Sequence, residues 1–375
     1  MKLLEYQAKE VLASLGIGIP KGRVARTPEE AAQACAELGP VAVKAQVPVG
    51  GRGKAGGIKL AANPQEARAA AEQIIGMDIK GHRVPLVYCE TALDISREVY
   101  LGFTVDRDRR NNILMLSSQG GMEIEQVAEE SPESIARLHP DPWRGPLDFE
   151  LNQLVFAAGL GEHVRALVPL VKKLHRAISL YDAVTAEINP LVITPGGELI
   201  AGDAKLETDE NASFRQRELE SRYGGVSEED ALEAEAHRRN LTYVSLDGEI
   251  GIIGNGAGLC MGTLDLIQRA GGSAANFCDI GGGARAEVVE NALAVILMNP
   301  RVRGVLINIF GGITRGDEVA RGLIQARDQL GFDLPLVVRL SGTNEEEGRE
   351  ILKQNGIEPG ASGWEAAQKI VALTR

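Results

Sequence analysis

Between Val41 and Val47 apolar residues fall at every second position. Val41, Val43, Ala45 and Val47 share one face of a predicted strand, and Ala42, Lys44 and Gln46 share the other. Upstream the spacing is helical: Leu3, Leu4, Ala8, Val11 and Leu12 line one face of a helix that ends at Gly16. A second helix over 27–38 opens with Thr27-Pro28-Glu29-Glu30, a capped start, and Asn63-Pro64 opens a third that runs to 75. Strands are predicted over 84–90, 97–105 and 113–118, the middle one ending in a turn at 106–109 and the last at Gly120-Gly121. Strands and helices mix here without regular β-α-β alternation, as in an α+β domain.

The stretch 183–205 predicts a hairpin. Glu187-Ile188-Asn189-Pro190-Leu191-Val192-Ile193 and Glu198-Leu199-Ile200-Ala201-Gly202-Asp203-Ala204-Lys205 flank Pro195-Gly196-Gly197. A turn centred on Gly196 sets Asn189 opposite Asp203 and Glu187 opposite Lys205, four polar groups on one face. Hard oxygen ligands without histidine or thiolate suit Mg²⁺ held jointly with phosphates. The alternative is a solvated ribbon face with one salt bridge.

From Gly248 the pattern becomes regular. Strands are predicted over 250–253, 275–279, 304–309 and 334–340, and helices over 259–270, 286–298, 317–330, 345–355 and 363–373. That is a doubly wound, flavodoxin-like parallel sheet, in which ligands bind beyond the carboxyl ends of the strands. Those ends carry Gly254-Asn255-Gly256-Ala257-Gly258, Gly281-Gly282-Gly283, Gly311-Gly312-Ile313-Thr314 and Ser341-Gly342-Thr343. The polar segment 218–240, with the acidic run at 227–230, marks the junction, giving domains at 1–235 and 236–375.

Composition narrows the chemistry. A net charge of −12 disfavours nucleic acid and anionic membranes as main partners. Cys35, Cys89, Cys260 and Cys278 show no metal-site spacing and read as free thiols of a reducing cytoplasm. Carboxylates at Glu5 and Glu10 are unlike a leader peptide, and no apolar run reaches the roughly 18 residues that span a bilayer. In an acidic chain the cationic loop Gly50-Gly51-Arg52-Gly53-Lys54-Ala55-Gly56-Gly57 therefore reads as a site for a small anion, with backbone N–H groups free to approach it. It is not a P-loop, because Ala55 follows Gly53-Lys54 where a hydroxyl is required. Gly254-x-Gly256-x-Gly258 likewise lacks the third glycine of a dinucleotide fingerprint, Leu259 standing in its place.

A strand lysine, a glycine-rich loop and distant oxygen ligands on a hairpin resemble the ATP-grasp architecture. Leu4-Glu5-Tyr6-Gln7-Ala8-Lys9, the 50–57 loop, Glu187-Ile188-Asn189-Pro190-Leu191, Asn255-Gly256-Ala257-Gly258-Leu259 and Asn308-Ile309-Phe310-Gly311-Gly312-Ile313 together resemble the β-subunit family of succinyl-CoA synthetases (succinate–CoA ligases) across nearly the whole chain. The resemblance implies an N-terminal ATP-grasp domain and a C-terminal CoA-ligase domain. It implies that Lys44, Gly51, Arg52 and Gly53 hold the phosphates of ATP/ADP or GTP/GDP, that Glu90, Leu93 and Glu98 hold base and ribose, and that Asn189 and Asp203 bind Mg²⁺. Glu187 would act on a partner's histidine, and Asn255, Gly312, Ile313 and Thr314 would contact the acyl substrate. Pro48-Val49 replaces a frequent His-Ala, so only the backbone cradle is expected there; the 76–84 span is short for the family, and Arg285 replaces a common threonine.

The family transfers phosphate through a histidine. His82, His139, His163, His175 and His237 all lie outside the glycine-rich strand ends, so the carrier is expected on an α subunit, in a heterodimer or heterotetramer of the citric acid cycle. The rival readings are the β subunit of a malate–CoA ligase and a nucleotide-sensing subunit without turnover.

Overall fold

The computed structural model describes residues 1–224, 231–283 and 285–375, so the acidic run at 227–230 lies outside the described residues. The chain divides into two compact units, Met1–Glu228 and Glu229–Arg375.

The first unit carries two main sheets. One has the order β1 (Gly22–Ala25), β6 (Val87–Thr91), β2 (Val41–Ala45), β3 (Ile58–Ala61), all antiparallel; a short ribbon of β4 (Asp78–Ile79) and β5 (His82–Arg83) stands apart. The other has the order β11 (Leu199–Ala201), β10 (Ala183–Ile193), β7 (Arg97–Asp106), β8 (Asn111–Ser117), β9 (Ile135–Leu138), with β12 (Ala204–Thr208) also on β10. Helices α2 (Pro28–Leu38) and α3 (Pro64–Ile74) start as expected: Thr27 and Asn63 accept from the N–H groups of Glu30 and Glu66. Strand β2 stops at Ala45, and all five of its residues are buried. Its polar face is covered rather than solvated, because α1 (Glu5–Ser14) presents Glu5 and Lys9 towards Lys44, while Ala8, Val11 and Leu12 join the main core. The 122–182 stretch adds α4 (Ile124–Glu130), α5 (Asp148–Ala157) and α6 (Val164–Leu180). Leu167, Leu170, Val171, Leu174 and Ile178 of α6 pack into that core at helical spacing. After β12 the unit ends in α7 (Arg217–Tyr223).

The hairpin register is the one its turn dictates. Glu187 pairs with Lys205 and Leu191 with Ala201, and Asn189 N donates to the Asp203 carbonyl at 3.3 Å.

The second unit opens with α8 (Ala231–Arg238) and holds one sheet, ordered β13 (Thr242–Ser245), β15 (Asn276–Asp279), β14 (Ile250–Gly254), β16 (Gly304–Gly311), β17 (Leu336–Gly342). Strands β14 to β17 are parallel and doubly wound, with α9 (Ala257–Arg269), α10 (Ala286–Leu297), α11 (Gly316–Leu330), α12 (Glu345–Gln354) and α13 (Gly363–Thr374) as the helices. One strand departs from the all-parallel expectation: β13 pairs antiparallel with β15 and forms an edge. Strand order reverses at β14, so the crevice beyond the ends of β14 and β16 is the place for a ligand.

Candidate functional site

In the first unit the predicted phosphate residues meet in a buried ionic cluster. Lys44 Nζ contacts Glu5 Oε1 at 2.9 Å and Glu90 Oε1 at 2.6 Å, and donates to the Gly202 carbonyl at 2.6 Å. Arg52 reaches Glu5 Oε2 through Nη1 and Asp203 Oδ2 through Nη2, both at 2.6 Å. Lys9, without accessible surface, bridges Glu5 at 2.8 Å and Glu90, and donates to Gly202 O at 2.8 Å. Three cations thus balance three carboxylates, the condition under which such burial is tolerated. Burial alone would raise the Glu5 carboxyl; Arg52, Lys9 and Lys44 override it and hold the group well below the carboxylate range. Burial would lower Lys44, but Glu5, Glu90 and Asp203 push it up, so the ammonium stays charged.

The glycine loop completes a cradle. It is closed by Gly57 N to Arg52 O (2.8 Å) and Ala45 N to Gly57 O (2.7 Å), while the N–H groups of Gly51, Arg52, Gly53 and Lys54 have no acceptor among the described residues. Gly51 takes a left-handed φ of 83°. A Cβ on Gly57 would stand 2.8 Å from Ile79 Cδ1, 3.1 Å from Ala45 Cβ and 3.2 Å from Arg52 O, so a side chain there would crowd the turn. Lys54 pairs with Glu123 at 3.2 Å.

The hairpin brings Asn189 and Asp203 beside each other, but both side chains are engaged by protein donors. Asn189 Oδ1 accepts from Gly121 N and its Nδ2 donates to Met122 O, both at 2.8 Å. Asp203 Oδ1 accepts from Ala204 N at 2.7 Å, and its Oδ2 holds Arg52. Among the described residues no three or more His, Cys, Asp or Glu side chains are grouped to hold an ion. The donor set still fits Mg²⁺, which binds through one or two protein oxygens with phosphates and waters completing the shell. Glu98, opposite Val192 in β7, lies under Gly121, where a Cβ would come within 2.4 Å of its carboxylate. Leu93 sits in the connection from β6 to β7, and its backbone groups have no backbone hydrogen-bond partner among the described residues.

Glu187 makes no ion pair with Lys205. Burial raises its pKa first of all; Lys205 lowers it, and Glu125 and Asp203 raise it further. The Tyr100 hydroxyl lies over Gly102, the partner of Glu187 in β7, and is itself pushed up by burial and by Glu187.

In the second unit the rim loops are tied to one another. Asn255 Nδ2 donates to Phe310 O (3.0 Å) and to Thr314 Oγ1 (3.1 Å), and Phe310 N donates to Asn255 Oδ1 (2.9 Å). Gly283 N also donates to Thr314 Oγ1. The Thr314 side chain therefore points inward, buried, and its main chain is what it offers a ligand. Asp279 accepts from Gly256 N (2.6 Å) and Gly281 N (2.8 Å). The N–H groups of Gly312, Ile313 and Thr314 have no acceptor among the described residues, whereas Gly316 N, the first of α11, is taken by Thr343 O. Gly312 is exposed and Ile313 stands 82% exposed at the tip of its loop. Of the five histidines the second unit holds His237 alone, in α8; in the first unit His82 is in the β4–β5 ribbon, His139 pairs with Asp106, His163 contacts Glu162, and His175 packs on Phe103.

Sequence reasoning did not single out Glu5, Lys9, Tyr100, Asp279 or the Gly120-Gly121 prop of Asn189. The signals for the first pair are their place in the family-like segment Leu4-Glu5-Tyr6-Gln7-Ala8-Lys9, which assigns them no role, and their four-residue spacing, which alone reads as a surface helix pair.

Comparison with known proteins finds a family match in each unit. The ATP-grasp domain family matches residues 2–193 and the CoA-ligase family residues 253–371. The chain is 50% identical to the GDP-forming succinate–CoA ligase subunit beta of Thermus thermophilus and 49% identical to the ADP-forming subunit beta of Rubrobacter xylanophilus. Each similarity covers 100% of this chain and 99% of the relative. The ADP-forming subunit beta of Chloroflexus aurantiacus is 48% identical over the same shares. A solved ATP citrate lyase from Methanothrix soehngenii, in complex with citrate and coenzyme A, shares the fold with a TM-score of 0.75 at 21% identity, covering 100% of this chain and 98% of that one. The chain belongs to the family of succinate–CoA ligase β subunits.

Proposed function

We propose that this chain is the β subunit of a succinate–CoA ligase, converting succinyl-CoA, phosphate and a nucleoside diphosphate reversibly into succinate, CoA and the triphosphate. It acts with an α subunit that carries the phosphohistidine, as a step of the citric acid cycle in the cytoplasm. The observation that carries this is the buried Lys44–Arg52 pair beside four unclaimed N–H groups, next to the Asn189–Asp203 ribbon.

Residues 51–54 and the two cations would cradle the polyphosphate and stabilise the charge that spreads over the transferring phosphoryl group. Glu90, Leu93 and Glu98 would hold base and ribose. Mg²⁺, held by the oxygens of Asn189 and Asp203, would supply further charge neutralisation at the phosphates. Arg52 would leave Asp203 for the polyphosphate as that carboxylate takes up the cation. In the direction that starts from the triphosphate, the bond from the γ-phosphorus to its bridging oxygen breaks, that oxygen leaves with the nucleoside diphosphate, and the phosphorus bonds to an imidazole nitrogen of the partner. Glu187 would accept the hydrogen bond or proton of that imidazole's N–H. In the second unit, Asn255 would fix the rim while the N–H groups of Gly312, Ile313 and Thr314 receive the carboxylate or phosphate of the acyl substrate.

The test mixes the purified chain with its α partner, Mg²⁺ and γ-labelled ATP or GTP. Label should reach the partner only when this chain is present, and succinate with CoA should discharge it. Binding of nucleotide without transfer would leave the sensing reading, and discharge by malate in preference to succinate the malate reading.

A further inference from the structure

Lys44 and Arg52 are long side chains from different segments, one on a strand and one in a loop, and both have to face one polyphosphate. What aims them is a third group. Glu5 Oε1 accepts from Lys44 at 2.9 Å and Lys9 at 2.8 Å; Glu5 Oε2 accepts from Arg52 Nη1 at 2.6 Å and Gln46 Nε2 at 3.3 Å. Glu90 contacts both lysines but not Arg52, and Asp203 holds Arg52 without an ion pair to Lys44. Among the described residues Glu5 is the one carboxylate that pairs with both phosphate cations.

Its own placement is fixed. Glu5 opens α1, where Leu4 N donates to Gln7 Oε1 and Tyr6 N to Gln46 Oε1, and Lys9 clamps it from the next helical turn. Its side chain is 1% exposed, whereas that of Asp203 is 30% exposed. The two carboxylates on Arg52 therefore differ in kind. Asp203 lies at the open side, where a ligand can replace it; Glu5 lies behind the cations and cannot reach one.

We propose that Glu5 is the positioning residue of the nucleotide-phosphate site, holding Lys44 and Arg52 as one rigid pair directed at the same polyphosphate. The proposal rests on the nucleotide reading above. It opposes the simple field argument, in which a carboxylate close to phosphates weakens binding and its removal tightens it. A neutral isostere leaves three buried cations against two carboxylates, which repel one another and lose their common anchor.

The decisive variants are Glu5→Gln and Glu5→Asp in the assembled complex with the α partner. Two partial reactions are read: nucleotide-dependent phosphorylation of the partner, and formation of succinyl-CoA by a pre-phosphorylated partner, which needs no nucleotide. E5Q should raise the nucleotide KM on the order of 30-fold or more, the lower end of the loss seen when one member of a buried, hydrogen-bonded charge pair is removed. The second reaction should stay within about twofold of wild type. E5D keeps the charge but shortens the reach by a methylene and should fall between. Unchanged or tighter nucleotide binding in E5Q overturns the proposal, as does an equal loss in both reactions. If E5Q does not assemble, E5Q/K9M restores two cations against two carboxylates and carries the same expectation. A wild-type complex that transfers no phosphoryl group refutes the nucleotide reading itself, whatever Glu5 does.

Discussion

Glu187 occupies a position where burial and charge pull a carboxyl group in opposite directions. Burial, Glu125 and Asp203 favour its protonated form and Lys205 opposes them, with a net rise above the ordinary 4.5. As a base it must be deprotonated, so phosphoryl transfer should fall as pH drops through this raised pKa, placing an acid limb above 4.5. Glu187→Gln should abolish that limb and slow partner phosphorylation by about 100-fold or more, with nucleotide affinity retained. A pH series of single-turnover phosphorylation, wild type against variant, checks both expectations, and an identical acid limb in E187Q would remove the residue from the mechanism. At this scale Lys44 is legible because strand alternation separates it from the apolar positions around it. Glu5 is not, since a glutamate in the first helical turn is what the helix dipole favours on any solvated surface. Only the chain's return through Glu90 and Gly202 makes it a buried anchor.

The strand-end loops of the second unit depend on backbones that approach more closely than a side chain allows. Gly342 has a φ of 107°, and a Cβ there would stand 1.9 Å from Gly311 O. Gly342→Ala should therefore destabilise the unit by about 3 kcal/mol or more, since left-handed strain and a backbone clash add. Gly312 has open space around it, so Gly312→Ala should leave the melting temperature nearly unchanged while impairing succinyl-CoA formation at the unclaimed N–H groups. Thermal melts paired with the acyl-transfer assay separate the two; a G312A variant with full acyl transfer would take that cradle out of the site. Elements with strong local signals were legible: the capped starts at Thr27 and Asn63, the hairpin centred on Gly196, and the alternating second half. Weak local grammar hid others. Pro169 interrupts α6, and β13 is four residues long at a sheet edge. The Gly120-Gly121 loop reads as a strand end, and only its hydrogen bond to Asn189 gives it a place in the site.

On the scale of the chain, each unit contains a buried carboxylate that gathers several cationic side chains. In the first it is Glu5; in the second it is Asp317, without accessible surface, which Arg315 Nε (3.1 Å) and Nη2 (3.0 Å), Arg321 Nη1 (2.8 Å) and Asn344 Nδ2 (2.9 Å) all contact. Those bonds join the start of α11 to the turn before α12. Both carboxyls are depressed: Glu5 by Arg52, Lys9 and Lys44 against the opposing effect of burial, and Asp317 first by its hydrogen bond to Arg315. A carboxyl with a depressed folded pKa adds stability above its unfolded value, and that stability is lost as pH falls towards the folded one. The ordinary values are 4.5 for Glu5 and 3.8 for Asp317, so the melting temperature should hold down to about pH 4.5 and fall below it. Glu5→Gln and Asp317→Asn should each lower it at neutral pH and flatten its dependence below pH 4.5, because the proton that each group takes up on unfolding is gone. Nucleotide identifies the unit: on the proposed function it binds the folded first unit, and it should raise the melting temperature of Asp317→Asn by mass action but that of Glu5→Gln less at equal concentration. Calorimetry from pH 7 to pH 3 with and without ADP or GDP measures both effects. Equal nucleotide shifts in the two variants would mean that Glu5 supports the fold of its unit without supporting the phosphate site.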